Sequence, residues 1–105
     1  MKRKPIFSII IPVRTETDYL RETLKKLKQQ SFSSFEILVI TDKISGPVSP
    51  AIKRNLGAKK SKGLYLAFLD DDSYPDKNWL KNASRLFSPD IAALCGPCLT
   101  PPETP

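Results

Sequence analysis

Three apolar, β-rich runs set the frame of this chain: residues 8–13 (Ser-Ile-Ile-Ile-Pro-Val), 35–40 (Phe-Glu-Ile-Leu-Val-Ile) and 64–69 (Leu-Tyr-Leu-Ala-Phe-Leu). Each is about one strand long, and each ends abruptly in polar residues. The first is nearly continuous in apolar, β-branched residues, which suits a parallel strand buried on both faces. A chain with such runs at these intervals has room for a helix between successive strands.

The intervening segments read as those helices. After Thr17 or Asp18, either able to act as a cap, Leu20, Leu24 and Leu27 recur at helical spacing and form one apolar stripe. Ser31 to Ser34 breaks the pattern, and Gly46, Pro47 and Pro50 mark a loop. A second, shorter helix is expected over residues 51–60, with Gly63 at or just beyond its end. A third is expected from Pro75, placed in its first turn, with Trp79, Leu80, Ala83 and Leu86 on its buried side. A short fourth strand is expected over residues 91–94; within the Pro-rich tail, residues 99–105, the stretch Thr100 to Pro105 cannot be regular structure. The order β-α-β-α-β-α-β predicts an α/β, Rossmann-like fold with a mostly parallel sheet flanked by helices. In such sheets ligands bind beyond the carboxyl ends of the strands. The polar residues lie there: Arg14 to Glu16, Asp42, and Asp70 to Asp72.

With 105 residues the chain suffices for one small domain, which buries only about two thirds of its unfolded surface. Apolar residues make up 40% and charged residues 27%, in the soluble globular range. No apolar run reaches the roughly 18 residues that span a bilayer, and the basic start with its short apolar run lacks a cleavage site. These features point to the cytoplasm. The net charge of +6 concentrates at Lys25, Lys26 and Lys28 and at Lys53, Arg54, Lys59, Lys60 and Lys62. These clusters read as solvated helix faces, or as attraction to phosphate on a nucleotide or a membrane surface. No aromatic residues interleave with them, so no nucleic-acid partner is expected.

The strongest chemical signal is Asp70-Asp71-Asp72 directly after an apolar strand. Three adjacent carboxylates repel one another, and a divalent cation would compensate them. Mg²⁺ or Mn²⁺ takes one or two carboxylates and completes its shell with water and phosphate oxygens. The plainer reading is an acidic strand-to-helix turn. Asp42 is either a turn residue or an acceptor for a nucleobase imide N–H, and Glu16 either a ribose acceptor or a solvated acid. Lys53 and Arg54 either approach phosphate or lie solvated on the surface.

Cys95-Gly96-Pro97-Cys98 has the letters of a thioredoxin site in the wrong setting. No Trp precedes it, and the prolines that follow cannot continue a helix that would lower the first thiol's pKa. Two reduced cysteines at a strand end are expected instead. Phosphate loops, dinucleotide fingerprints and a Ser nucleophile elbow are absent from the sequence.

Several segments, in order, resemble family 2 glycosyltransferases of the GT-A fold: residues 8–16; Gln29-Gln30-Ser31-Phe32; residues 35–40; residues 53–63, similar to an Ala-Arg-Asn-x-Gly…Ala-Lys-Gly segment; and residues 66–72 followed by Pro75 and Trp79-Leu80. The match is collinear from about residue 6 to residue 98. It implies that Pro12, Val13 and Glu16 line a base and ribose pocket and that Asp42 reads the base. It also implies that Asp70 and Asp71, with Arg54, lie near the donor, and that Asp72, with Asp70, binds Mn²⁺ or Mg²⁺. The implied reaction is metal-dependent, inverting transfer of a sugar from a nucleotide diphosphate, a UDP-sugar, to a glycan, lipid or protein acceptor.

The sequence departs from that pattern in three places. Thr41-Asp42-Lys43 stands where the family has Asp-Asp-Gly-Ser, and the stretch between Asp42 and Lys53 is abbreviated. The acceptor half with its carboxylate base would lie beyond Pro105, and the sequence holds no His to replace that base. The expectation is therefore an N-terminal donor-binding part, residues 1–105, that binds donor without full activity, with peripheral membrane association possible for a longer form. Rival readings are a nucleotidyltransferase-like metal enzyme and a non-catalytic anion-binding module.

Overall fold

The computed structural model describes residues 5–86 and 98–99. The elements run β1 (Phe7–Pro12), α1 (Asp18–Lys28), β2 (Phe35–Ile40), α2 (Asp42–Ser45), α3 (Pro50–Lys60), β3 (Tyr65–Phe68), β4 (Tyr74–Pro75), α4 (Trp79–Leu86) and β5 (Cys98–Leu99). They group into two compact units: residues 1–17 with 34–71, and residues 18–33 with 72–105.

The first unit is a three-stranded parallel sheet of order β2-β1-β3. β1 is central and buried along its whole length, as its β-branched composition predicts. β2 is half-buried except for Ile40, and in β3 Leu66 and Phe68 face outward while Tyr65 and Ala67 are half-buried. α3 packs on β1 and β2. Its Gly57 permits that approach: a Cβ there would lie 2.5 Å from Ile10 Cγ2.

Gly63 has a different role from the helix-end glycine expected. α3 closes at Ser61 with ordinary extended geometry, and the one positive-φ glycine among the described residues is Gly46. A Cβ on Gly63 would meet Ser8 Oγ at 2.6 Å and the β1 backbone at 2.7 and 2.8 Å. Gly63 is there so that two backbones can touch. Its N–H donates to Ser8 Oγ (2.8 Å), Ser8 donates to Glu36 Oε2 (2.6 Å), and the Lys62 N–H donates to the same oxygen (2.6 Å). This network ties the amino ends of the three strands together. Partial burial pushes the Glu36 carboxyl up, but hydrogen bonds from Ser8 and the Lys62 and Gly63 N–H groups, with the Lys62 charge, hold it below the ordinary glutamate value.

In the second unit, Leu20 and Leu27 of α1 are buried and Leu24 half-buried, so the predicted stripe is present. Thr23, also buried, donates to the Ser73 carbonyl (3.3 Å). Gln30 follows α1, and its amide donates to the Asp76 carbonyl (2.6 Å) and accepts from the Leu80 N–H (3.1 Å). Pro75 lies in β4, opposite Cys98 of antiparallel β5, and outside any helix. Proline keeps the preceding Tyr74 extended. The turn after it is closed by Asp76, which accepts from the Asn78 and Trp79 N–H groups, so α4 starts only at Trp79. Cys98 thus stands in a strand. Cys95, the strand expected over residues 91–94 and the tail from residue 100 onward lie outside the described residues.

Candidate functional site

Beyond the carboxyl end of the sheet, backbone bonds continue where regular pairing stops. The Val13 N–H donates to the Ile40 carbonyl (3.0 Å) and the Asp42 N–H to the Arg14 carbonyl (3.1 Å). Asp42 is thereby held beside the loop that leaves β1. On the other side of β1, the Leu69 N–H donates to the Ile10 carbonyl (3.1 Å), and the chain runs into Asp70 and Asp71. Thr17 Oγ1 donates to Asp71 Oδ2 (3.3 Å) and joins the β1 loop to the end of β3.

These strand ends enclose a cavity of about 570 Å³, of the size that small ligands occupy. One side is residues 12–15 with Thr17 and Asp71; the other is Asp42, Pro47, Val48, Pro50 and Lys53. The second wall is built by the segment that follows β2. Gly46 adopts φ 81° and ψ 175°, a conformation open to glycine and strained for other residues. The Val48 N–H then donates to the Gly46 carbonyl (2.8 Å), a tight turn over Pro47. Ser49 caps α3 by accepting the Ile52 N–H (3.3 Å), and Pro50 fills its first position.

Lys53 departs most from expectation. Instead of lying solvated, it is 2% exposed. Its Nζ donates to Asp42 Oδ1 (2.6 Å) and to the Val48 carbonyl (3.0 Å). The helix register turns it inward, beneath the loop and beside the cavity. A lysine in a basic helix reads as solvent-facing, and only the i, i+4 relation to Ser49 and Gly57, the helix cap and the sheet-packing glycine, marks its face in the sequence.

Among the other expected site residues, Pro12, Val13, Asp42 and Asp71 line the cavity. Glu16 is exposed and outside the lining. Arg54 is also outside the lining and pairs with Asp70 at 3.5 Å, both partly exposed. Asp72 is half-buried and belongs to the second unit. There desolvation, then the charges of Glu22, Tyr19 and Asp72, push the Tyr74 phenol up. Thr15, Thr17, Pro47 and Val48 line the cavity without having been singled out as donor contacts.

The cavity offers the side-chain carboxyl group of Asp42, apolar walls of proline and valine, and a second carboxyl group at Asp71. No group of three metal-ligating side chains converges among the described residues. A single lining carboxylate, Asp71, suits a Mg²⁺ or Mn²⁺ ion that takes one or two carboxylates and shares its shell with substrate phosphate.

The family model for glycosyl transferase family 2 matches residues 8–45 and 46–100. An uncharacterized glycosyltransferase of Rickettsia conorii is 34% identical over 67% of this chain and 15% of its own length. The poly(ribitol-phosphate) β-N-acetylglucosaminyltransferase TarS of Staphylococcus aureus is 29% identical over 77% of this chain and 18% of its own. The crystal structure of S. aureus TarS residues 1–349 superposes with a TM-score of 0.66 and 27% identity, covering 75% of this chain and 31% of that one. This chain thus spans well under half the length of these relatives. With the sheet and the family model in agreement, the chain belongs to glycosyl transferase family 2 and has the GT-A type of α/β fold.

Proposed function

We propose that the cavity binds the nucleoside diphosphate of a sugar donor, a uridine nucleotide, as the donor part of an inverting, metal-dependent glycosyltransferase. The observation that carries this reading is the convergence of Pro12, Val13, Asp42 and Asp71 from three strand ends on one cavity. Asp42 accepts the imide N–H of the base, which an acceptor-only carboxylate suits. Val13 and Pro47 exclude water from the base, and Thr17 holds Asp71 toward the ribose and diphosphate. Asp72, with Asp70, supplies the carboxylates for Mg²⁺ or Mn²⁺. When bound, such an ion offsets the negative charge that grows on the departing diphosphate. The acceptor is a glycan, a lipid or a protein. No helix among the described residues is long and apolar enough to cross a membrane. The exposed Lys25, Lys28, Lys59 and Lys60 support peripheral attraction to anionic surfaces.

Calorimetric titration of UDP, GDP and dTDP into the folded chain, with Mn²⁺, with Mg²⁺ and with chelator, tests the proposal. The expected result is UDP binding that needs metal and weakens at least about tenfold in Asp72→Asn. UDP binding unchanged by chelator would remove the metal role. Tighter binding of GDP would reassign the base.

A further inference from the structure

Lys53 is the buried cation among the described residues, and both of its acceptors belong to the cavity wall. A buried ammonium is costly unless paired and hydrogen-bonded. The pairing here is short, 2.6 Å to Asp42 Oδ1, although the Asp42 side chain is itself 34% exposed. The second acceptor, the Val48 carbonyl at 3.0 Å, belongs to the loop between α2 and α3. One ammonium therefore joins the helix α3, the end of β2 and the turn over Pro47.

We propose that Lys53 is a positioning residue for nucleobase recognition. It fixes the Asp42 carboxylate through Oδ1 and leaves Oδ2, which has no hydrogen-bond partner among the described residues, as the acceptor for a base N–H. It also pins the loop that forms the facing wall. Lys53 acts through Asp42 and Val48, and the ligand touches those groups. The inference rests on the donor-site reading above and adds to it a determinant of affinity for the base, separate from the diphosphate.

A double-mutant cycle tests this, with wild type, Lys53→Met, Asp42→Asn and the double variant titrated with UDP and with magnesium pyrophosphate, which has no base. Lys53→Met is expected to weaken UDP about tenfold and to change pyrophosphate affinity less than twofold. The double variant is expected to bind UDP within about twofold of Asp42→Asn alone, because residues acting as a unit are not additive. Losses that multiply in the double variant, a parallel loss of pyrophosphate, or UDP affinity unchanged in Lys53→Met would each overturn the proposal. Asp42→Asn leaves the buried ammonium without its counter-charge. If that variant does not fold, the UDP-to-pyrophosphate ratio in Lys53→Met decides alone, a tenfold fall supporting the proposal and an unchanged ratio ending it. Wild type that binds no UDP removes the donor reading and this inference together; wild type that binds while Lys53→Met binds equally removes only the inference.

Discussion

The two ends of the parallel sheet both carry polar side chains on buried or half-buried ground, and they use them differently. At the amino end, Ser8, Glu36 and the N–H groups of Lys62 and Gly63 bond one another. At the carboxyl end, Asp42 is likewise paired, with Lys53, but the pair borders an open space of about 570 Å³. Closed polar networks fix a fold, whereas polar groups facing a cavity are free to recognise a ligand. Substitutions at the first end should therefore change stability and leave nucleotide affinity of the folded fraction alone, whereas substitutions at the second should change the nucleotide affinity of the folded fraction itself.

Gly63→Ala is the harshest test of that division. Its Cβ would press on the β1 backbone at 2.7 Å, where no side chain can swing away. We expect a loss of about 3 kcal/mol in urea unfolding, a large share of the stability of so small a domain. UDP affinity per folded molecule should be unchanged; a parallel fall in affinity would mean the two ends are coupled.

Asp42→Asn should act in the opposite sense. Replacing the acceptor-only carboxylate by an amide is expected to weaken UDP about tenfold or more, measured by calorimetry on the folded fraction. Retained affinity would move base recognition elsewhere. Gly46→Ala should follow. Its φ of 81° and ψ of 175° would strain an alanine by roughly 1–3 kcal/mol, with open space around the added methyl. The loop is expected to relax and UDP affinity to fall several-fold.

Glu36→Gln should have the smallest effect, less than about 1 kcal/mol, because the group is only partly buried. Its pH signature is more informative. The folded-state value lies below the ordinary one. The stabilisation is therefore fully present above the unfolded glutamate's pKa and is lost as pH falls through the folded value. Acid unfolding curves should show a shallower pH dependence in the variant, and identical slopes would deny the network its electrostatic role.

Much of this division was legible in the sequence. The runs at 8–13, 35–40 and 64–69 gave their strands within a residue or two, because β-branched apolar runs have few other uses. Their polar ends placed Pro12, Val13, Asp42 and Asp71 at one edge. The buried setting of Lys53 was not legible, since a basic residue in a basic helix reads as solvated until the sheet shows which face turns inward. Pro75 misled in the same way. It suits a helix's first turn, but pairing with Cys98 and the turn closed by Asp76 delayed the helix to Trp79. Gly63 read as a helix end because contact with Ser8, 55 positions away, leaves no local trace.

Amide chemical shifts of the isotopically labelled chain, followed as UDP and Mg²⁺ are added, test the central claim most directly. The account predicts that Val13, Asp42, Val48, Lys53 and Asp71 shift together and saturably, while Ser8, Glu36, Lys62 and Gly63 stay in place. Shifts centred on the amino end of the sheet, or none at the cavity of a folded chain, would contradict it.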